Sequence, residues 1–326
     1  MLNRHPILVA IDRTTDPERA IDVARSVAKV RGADVHVVQV VPHRAVDFDG
    51  RLDVWPSESP DDLGITTDAQ LASIVQSGDV DGVRVRKVTL QGTPEHVIPA
   101  YAQLHEATLL VVERDFGSSR FWRNIGVVEE LARRSATPLL VLPKRRTRGW
   151  DESGPGRILT PVDFSMASAV AMRTAVNLAR RHGARVTLLH ALEDVPGHMV
   201  FSGSEAGDVV GRLPAQVEAV ADRLRRKAAF FGAHDVDTEV PTGDPDGAIV
   251  DVATRGDVDL ILMGISHRSW LDRMVFGSTL RRVLRRAPVP VLVVPVVAGV
   301  HTWPDEAVSD HRSSVRAESP FNRVAA

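Results

Sequence analysis

No cysteine occurs among the 326 residues. That absence removes disulfides, thiolate metal sites and cysteine nucleophiles, and it fits a reducing compartment. No charge of one sign dominates either, since 40 basic residues stand against 42 acidic ones for a net charge of −2. No field over the whole molecule therefore recruits nucleic acid or an anionic membrane, and neither is expected as a partner. Long apolar runs are missing as well. Before Asp12 only Ile7 to Ile11 is apolar, too short for a signal-peptide core. The longest apolar stretch, Pro288 to Val300, carries three prolines and falls short of a bilayer-spanning helix. The expectation is a soluble cytoplasmic protein.

Motifs of chemistry are also scarce. The 12 histidines are scattered without a His-Glu-x-x-His, so no metal site is expected. Gly203-Ser204-Glu205-Ala206-Gly207 has its serine one place too early for a nucleophile elbow. No Gly-x-x-x-x-Gly-Lys-Ser/Thr loop is present, which removes the P-loop ATPases. Asp61-Asp62 and Glu129-Glu130 read as solvated faces rather than an acid/base pair. Arg281, Arg282, Arg285 and Arg286 decorate a helix whose Leu280, Val283 and Leu284 face inward, a structural use of cations near a helix C-terminus. No catalytic residues emerge, and an enzyme is not expected.

What the chain does have is a pattern written twice, about 151 residues apart. Pro6-Ile7-Leu8-Val9-Ala10-Ile11-Asp12 returns as Arg157-Ile158-Leu159-Thr160-Pro161-Val162-Asp163. Each copy closes on a proline and an apolar run, Pro138 to Pro143 and Pro290 to Pro295. The first opening run is continuously apolar, as expected for a strand covered on both faces. In the first copy Asp16-Pro17-Glu18 reads as a helix cap, first turn and acidic start, with Ile21, Ala24 and Ala28 at helical spacing and Gly32 as the stop. Strands at 35–41, 83–90 and 108–112 and helices at 68–77 and 95–105 follow.

The second copy repeats this order, with a helix from Met166 to His182 stopped by Gly183 and strands at 185–191, 236–240 and 258–263. An irregular stretch, 193–213, precedes a helix predicted from Pro214 to Phe231; helices at 248–255 and 278–286 complete the copy. Alternating strands and helices specify an α/β fold of two doubly wound parallel sheets in tandem. The expected division is a first domain over 1–143, a linker over 144–156, a second domain over 157–297 and a disordered tail over 298–326. The two terminal apolar strands are candidates for pairing with each other, because a bare hydrophobic edge invites aggregation.

The segment with the most chemical content runs from Met263 through Gly264, His267 and Trp270 to Gly277, Ser278 and Thr279. It leaves the carboxyl end of a strand, where open parallel sheets receive ligands. Its last residues start a helix, whose free N–H groups favour a phosphate, with Ser278 and Thr279 adding hydroxyl donors. Gly264 and Gly277 would let backbone approach a ligand closely. Asp163, on the same edge, can accept an adenine amine hydrogen or serve as a turn carboxylate.

With those residues in place, the chain resembles a tandem universal stress protein from Pro6 to Pro295. The family signature is glycine, two residues, glycine, nine residues, glycine, then Ser or Thr. Here Gly264, Gly277 and Ser278 agree, and His267 stands where the second glycine belongs. Arg268, Ser269, Leu271 and Arg273 also agree. The resemblance implies a Rossmann-like fold of the adenine nucleotide alpha hydrolase type and a stress-response protein that binds ATP. It places adenine near Pro161, Asp163 and Ala191, ribose near Met263 and Gly264, and phosphates near His267, Gly277, Ser278 and Thr279. The His267 imidazole either fills space the phosphates need or, protonated, donates to them. Enzymes with a similar sheet that release pyrophosphate from ATP carry Ser-Gly-Gly-x-Asp-Ser after the first strand; Asp163-Phe164-Ser165-Met166-Ala167-Ser168 does not match.

The first copy keeps only Gly126 of the signature. Glu113 falls at the place of Gly264, Phe116 at that of His267 and Val127 at that of Ser278. A carboxylate there repels phosphate, so ATP is expected in the second copy only. Three readings stay open: a nucleotide sensor, a scaffold that has lost its ligand, and a weak ATP hydrolase. Partners implied are an adenine nucleotide, the two domains for each other, and a second copy of the chain in a homodimer.

Overall fold

A strand covered on both faces needs apolar residues at every position, and β1 (Ile7–Ile11) and β4 (Leu109–Glu113) are buried from end to end. The computed structural model of the protein describes residues 5–12, 17–41, 82–115, 126–144, 154–192, 205–266 and 278–296. In the first half, α1 (Pro17–Arg31) links β1 to β2 (Val35–Val41), and β3 (Val85–Gln91), α2 (Pro94–Leu104), β4, α3 (Val127–Arg134) and β5 (Leu139–Leu142) follow. The second half runs β6 (Arg157–Pro161), α4 (Met166–His182), β7 (Arg185–Leu189), α5 (Glu205–Phe230), β8 (Asp237–Glu239), α6 (Pro245–Arg255), β9 (Leu260–Ser266), α7 (Ser278–Arg286) and β10 (Val291–Val296).

The strand order is β3-β2-β1-β4-β5-β10-β9-β6-β7-β8. Within each half all pairs are parallel, and the order reverses direction beside β1 and beside β6. That reversal is the doubly wound arrangement the strand–helix alternation predicts. The halves meet at one antiparallel seam, where Leu292 of β10 lies opposite Leu140 of β5. The two terminal strands therefore cover each other's edges, as their apolar character requires.

Two cores fill the two faces of this sheet. Ile7, Val9, Ala24, Ile158, Ala175, Leu188 and Leu224 belong to the face under α1, α4 and α5. Leu8, Ile98, Leu131, Leu159, Ile249 and Leu284 belong to the face under α2, α3, α6 and α7. The repeat is exact in its turns as well: Gly32 and Gly183 end α1 and α4 at φ of +61° and +65°, a left-handed cap that favours glycine. At the other end of α4, the Ser165 hydroxyl accepts the Ser168 N–H at 3.2 Å.

Two sequence expectations need correction. The long helix begins at Glu205, not Pro214, and carries the proline inside it. Proline withholds one N–H but does not forbid helix on its N-terminal side throughout, so it is a weak start signal when nothing else caps the chain. Strand β9 also runs on to Ser266, because Val294, Pro295 and Val296 of β10 continue the ladder beside Gly264, Ile265 and Ser266. The helix predicted at 68–77, the cap Asp16, the irregular stretch 193–204, residues 145–153 of the linker and the tail 298–326 lie outside the described residues.

Candidate functional site

At the carboxyl edge of the second half, β6 ends on Pro161 and the chain turns through Val162, Asp163 and Phe164 into α4. Phe164 takes φ of +61°, a left-handed conformation costly for a bulky residue. Its ring compensates by packing: the His190 ring centroid is 4.8 Å away and the Arg223 guanidinium carbon lies 3.7 Å from the ring centroid. His190 Nδ1–H donates to the Val162 carbonyl at 2.6 Å, which fixes the imidazole and leaves Nε2 as its other polar atom. Sequence reasoning missed Phe164, His190 and Arg223, since a positive φ at phenylalanine and a contact from α5 leave no periodic signal.

Asp163 accepts the Ser165 N–H on Oδ1 at 2.9 Å. Burial pushes its carboxyl upward, but hydrogen bonds from Ser165 and from the Ser168 hydroxyl outweigh that, so its pKa lies below the usual value and it stays ionised near neutrality. Asp163 thus fills the turn role weighed against an adenine contact. Ala191 follows His190 and packs against the opposite face of the sheet from Phe164, beside the core that includes Met263 and Ile265.

Gly264 sits in β9 with no room for a side chain. A Cβ there would stand 1.9 Å from the Ala167 carbonyl oxygen and 2.4 Å from its carbon. The glycine therefore lets the first turn of α4 lie directly on β9, and close approach here serves a helix-to-strand contact. Ser278 is exposed and Thr279 partly so at the start of α7, whose first N–H groups have no partner within the helix. His267 and Gly277 lie outside the described residues.

The structure thus gathers Pro161, Asp163, Ala191, Met263 and Gly264 at adjacent strand ends, β6 lying between β7 and β9. The universal stress protein family profile matches residues 3–143 and again residues 155–295. The chain belongs to the universal stress protein family. A universal stress protein of Methanocaldococcus jannaschii is 30% identical over 138 residues, 42% of this chain and 81% of that relative. Two solved structures follow both halves: a universal stress protein from Archaeoglobus fulgidus, with TM-score 0.57, 18% identity and coverage of 89% of this chain and 96% of that one; and a functionally unknown protein from Pseudomonas aeruginosa, with TM-score 0.60, 17% identity and coverage of 90% and 92%. At such identities the structures establish the shared fold.

Within this universal stress protein, the first half treats the same place differently. Glu113 pairs with Leu142 of β5 as Gly264 pairs with Val294 of β10, so the two occupy one position of the repeat. The Glu113 side chain is buried, and Arg19 of α1 places Nη1 at 3.6 Å from its Oε1. Arg19 also donates to the Pro143 carbonyl at 2.5 Å. Helix α1 opens at Pro17, which corresponds to Ser168, whereas α4 opens two residues earlier and closes over Gly264. A buried ion pair thus takes, in the first half, the place that the start of α4 takes in the second.

Several charged groups resolve into structural partners. Arg282 Nη1 lies 2.7 Å from Oδ1 of the buried Asp246, and Arg286 Nη1 lies 3.4 Å from its Oδ2. Arg285 reaches Glu129 across the seam at 2.8 Å, and Glu130 holds Arg133 and Arg134. Among the described residues no group of three or more His, Asp or Glu could hold a metal ion, and no helix is long and apolar enough to cross a membrane.

Proposed function

We propose that this protein binds an adenine nucleotide, ATP, in its second half alone, and acts by that binding in a stress response. The adenine would lie at the ends of β6 and β7 near Pro161, Asp163 and Ala191. The ribose would lie by Met263 and Gly264, and the phosphates would meet His267, Gly277, Ser278 and Thr279. One observation carries the restriction to the second half: the repeat position held by Gly264 is held in the first half by Glu113, a buried carboxylate that opposes a polyphosphate. Ser278, a hydroxyl donor at a helix start, is likewise replaced by Val127 at the matching position of the first half. The residues present fit the ligand, since exposed donors begin α7 and an ionised Asp163 has lone pairs that can accept an adenine amine hydrogen beside its bonds to the serines.

The same ion pair favours a scaffold role for the first half. Glu113 and Arg19 tie β4 to α1 and offer nothing to an anion.

The test is direct. Protein purified without added nucleotide is denatured and its supernatant separated by chromatography, and ATP binding is measured by calorimetry. Released adenylate, or saturable binding that the double variant Gly277→Val, Ser278→Ala abolishes, supports the site. Unchanged binding in that double variant rules it out. Binding gained only in His267→Gly would show that the imidazole blocks the phosphates and that the natural chain is a scaffold.

A further inference from the structure

The helix that would receive the phosphates is held from the other half of the molecule. Helix α7 spans nine residues, short of the length at which a helix is stable by itself. Only Leu280, Val283 and Leu284 bury its apolar stripe. Its last carbonyls need partners, and they find them in Arg114, at the end of β4 in the first half. Arg114 Nη1 donates to the Arg285 carbonyl at 3.1 Å, and Nη2 donates to the Ala287 carbonyl. The base of Arg114 is itself fixed, because its N–H donates to the Leu142 carbonyl at 2.9 Å. Glu129 holds the Arg285 side chain from the same half. Two donors of one planar fork thus satisfy two orphan carbonyls and place a full positive charge at the negative end of the helix.

The arrangement is one-sided. The position of Arg114 in the repeat is taken in the second half by Ile265, which carries no donor to return the favour to α3. The buried Glu113 and the forked Arg114 are successive residues, so the segment that excludes a nucleotide from the first half also ends in the clamp on the second. We propose that Arg114 is a positioning residue for the nucleotide site of the other half, acting through α7 to fix the direction and order of its N-terminal amides. This rests on the reading of α7 as the phosphate receiver.

The variants Arg114→Met, which keeps the length of the side chain, and Arg114→Lys, which keeps the charge without the fork, test it beside Arg185→Met, an exposed arginine at the amino end of β7. Amide hydrogen exchange over α7 is measured by mass spectrometry without nucleotide, and ATP affinity by calorimetry. Arg114→Met should speed α7 exchange about tenfold, the loss expected when two carbonyls lose their donors. It should weaken ATP binding about fivefold. Arg114→Lys should restore part of both, and Arg185→Met should change neither. Urea unfolding identifies any variant that fails to fold, in which case Arg114→Lys alone decides. Exchange unchanged in Arg114→Met, or exchange raised with ATP affinity unaltered, overturns the proposal. Wild-type protein that takes up no ATP sinks the nucleotide reading separately, and the exchange comparison then still decides whether Arg114 holds α7.

Discussion

The Tyr101 hydroxyl lies 3.0 Å from Nδ1 of His36, joining the end of α2 to the start of β2. His36 is buried, and the His105 ring meets it edge-on at 5.8 Å. Burial first, then the charges of Arg86 and His105, lower the His36 pKa to about 4, with Asp34 opposing. The unfolded chain takes up this proton near its ordinary value of 6.5 while the folded chain refuses it. Stability from this group is therefore complete above pH of about 6.5 and is lost as pH falls toward about 4. The loss is on the order of 3 kcal/mol. Urea unfolding of wild type and His36→Phe between pH 7.5 and 4.5 checks it; equal pH slopes in the two proteins would refute it.

Gly264→Ala tests the close approach of α4 to β9. The new methyl meets backbone, not a movable side chain, so either the helix or the strand must shift. A destabilisation of about 2 kcal/mol is expected from this overpacking. The matching substitution in the first half, Glu113→Ala, should act through a different cause, leaving Arg19 without its carboxylate. Urea midpoints at constant slope separate a change in stability from a change in the unfolded state.

Removing one member of a buried ion pair leaves the other charged and poorly solvated. Arg19→Met should cost about 3 kcal/mol for that reason. The double variant Arg19→Met, Glu113→Leu should recover most of the loss, since apolar replacement of both partners is often neutral. A double-mutant cycle by urea unfolding measures the coupling, and strictly additive losses would count against the pair.

The doubly wound parallel architecture was legible because the repeat is dense in signals that physics ties to one structure: apolar runs at Ile7 and Ile158, glycine stops at Gly32 and Gly183, and prolines ahead of both last strands. The seam was legible for the same reason, since Leu140 and Leu292 had to be covered by something. What escaped were contacts between residues far apart in the chain. Nothing near Arg114 announces that its partners are carbonyls at Arg285 and Ala287, and nothing near Glu113 names Arg19. Gly264 was noticed as a close-approach glycine, but the identity of what approaches, the Ala167 carbonyl, depends on how α4 lies. Periodicity reports which face a residue is on and is silent about which atom meets it there.

Asp246 and Glu95 occupy equivalent first turns, of α6 and α2, and both are buried. Asp246 is stapled by Arg282 and Arg286, whereas Leu131 and Ser135 stand at the corresponding positions in the first half, where Glu95 Oε2 has no hydrogen-bond partner among the described residues. Asp246→Asn should therefore cost about 1.5 kcal/mol, since the charge-assisted bonds to two half-exposed arginines weaken while water takes up the arginine charges. Glu95→Gln should cost less than about 1 kcal/mol, because it removes a charge that gains no partner on that oxygen. Thermal unfolding ranks the two, and a larger loss in Glu95→Gln would contradict the assignment.

The antiparallel seam predicts how an isolated second half behaves. Residues 154–296 expressed alone would carry β10 as a bare edge, with Leu292 and Val293 no longer covered by Leu140 and Leu139. An unpaired hydrophobic strand seeks another strand, and the available one is β10 of a second copy, in the same antiparallel sense. Sedimentation should show a dimer of this fragment. A charge at the centre of the seam, Leu292→Asp, should return it to monomer, because a carboxylate would then be buried against its own copy. In the full chain the same substitution should lower stability by about 3 kcal/mol without changing the oligomeric state, since β5 remains tethered beside β10. A fragment that sediments as a monomer at every concentration would show that the β5–β10 contact depends on the tether and not on the edge.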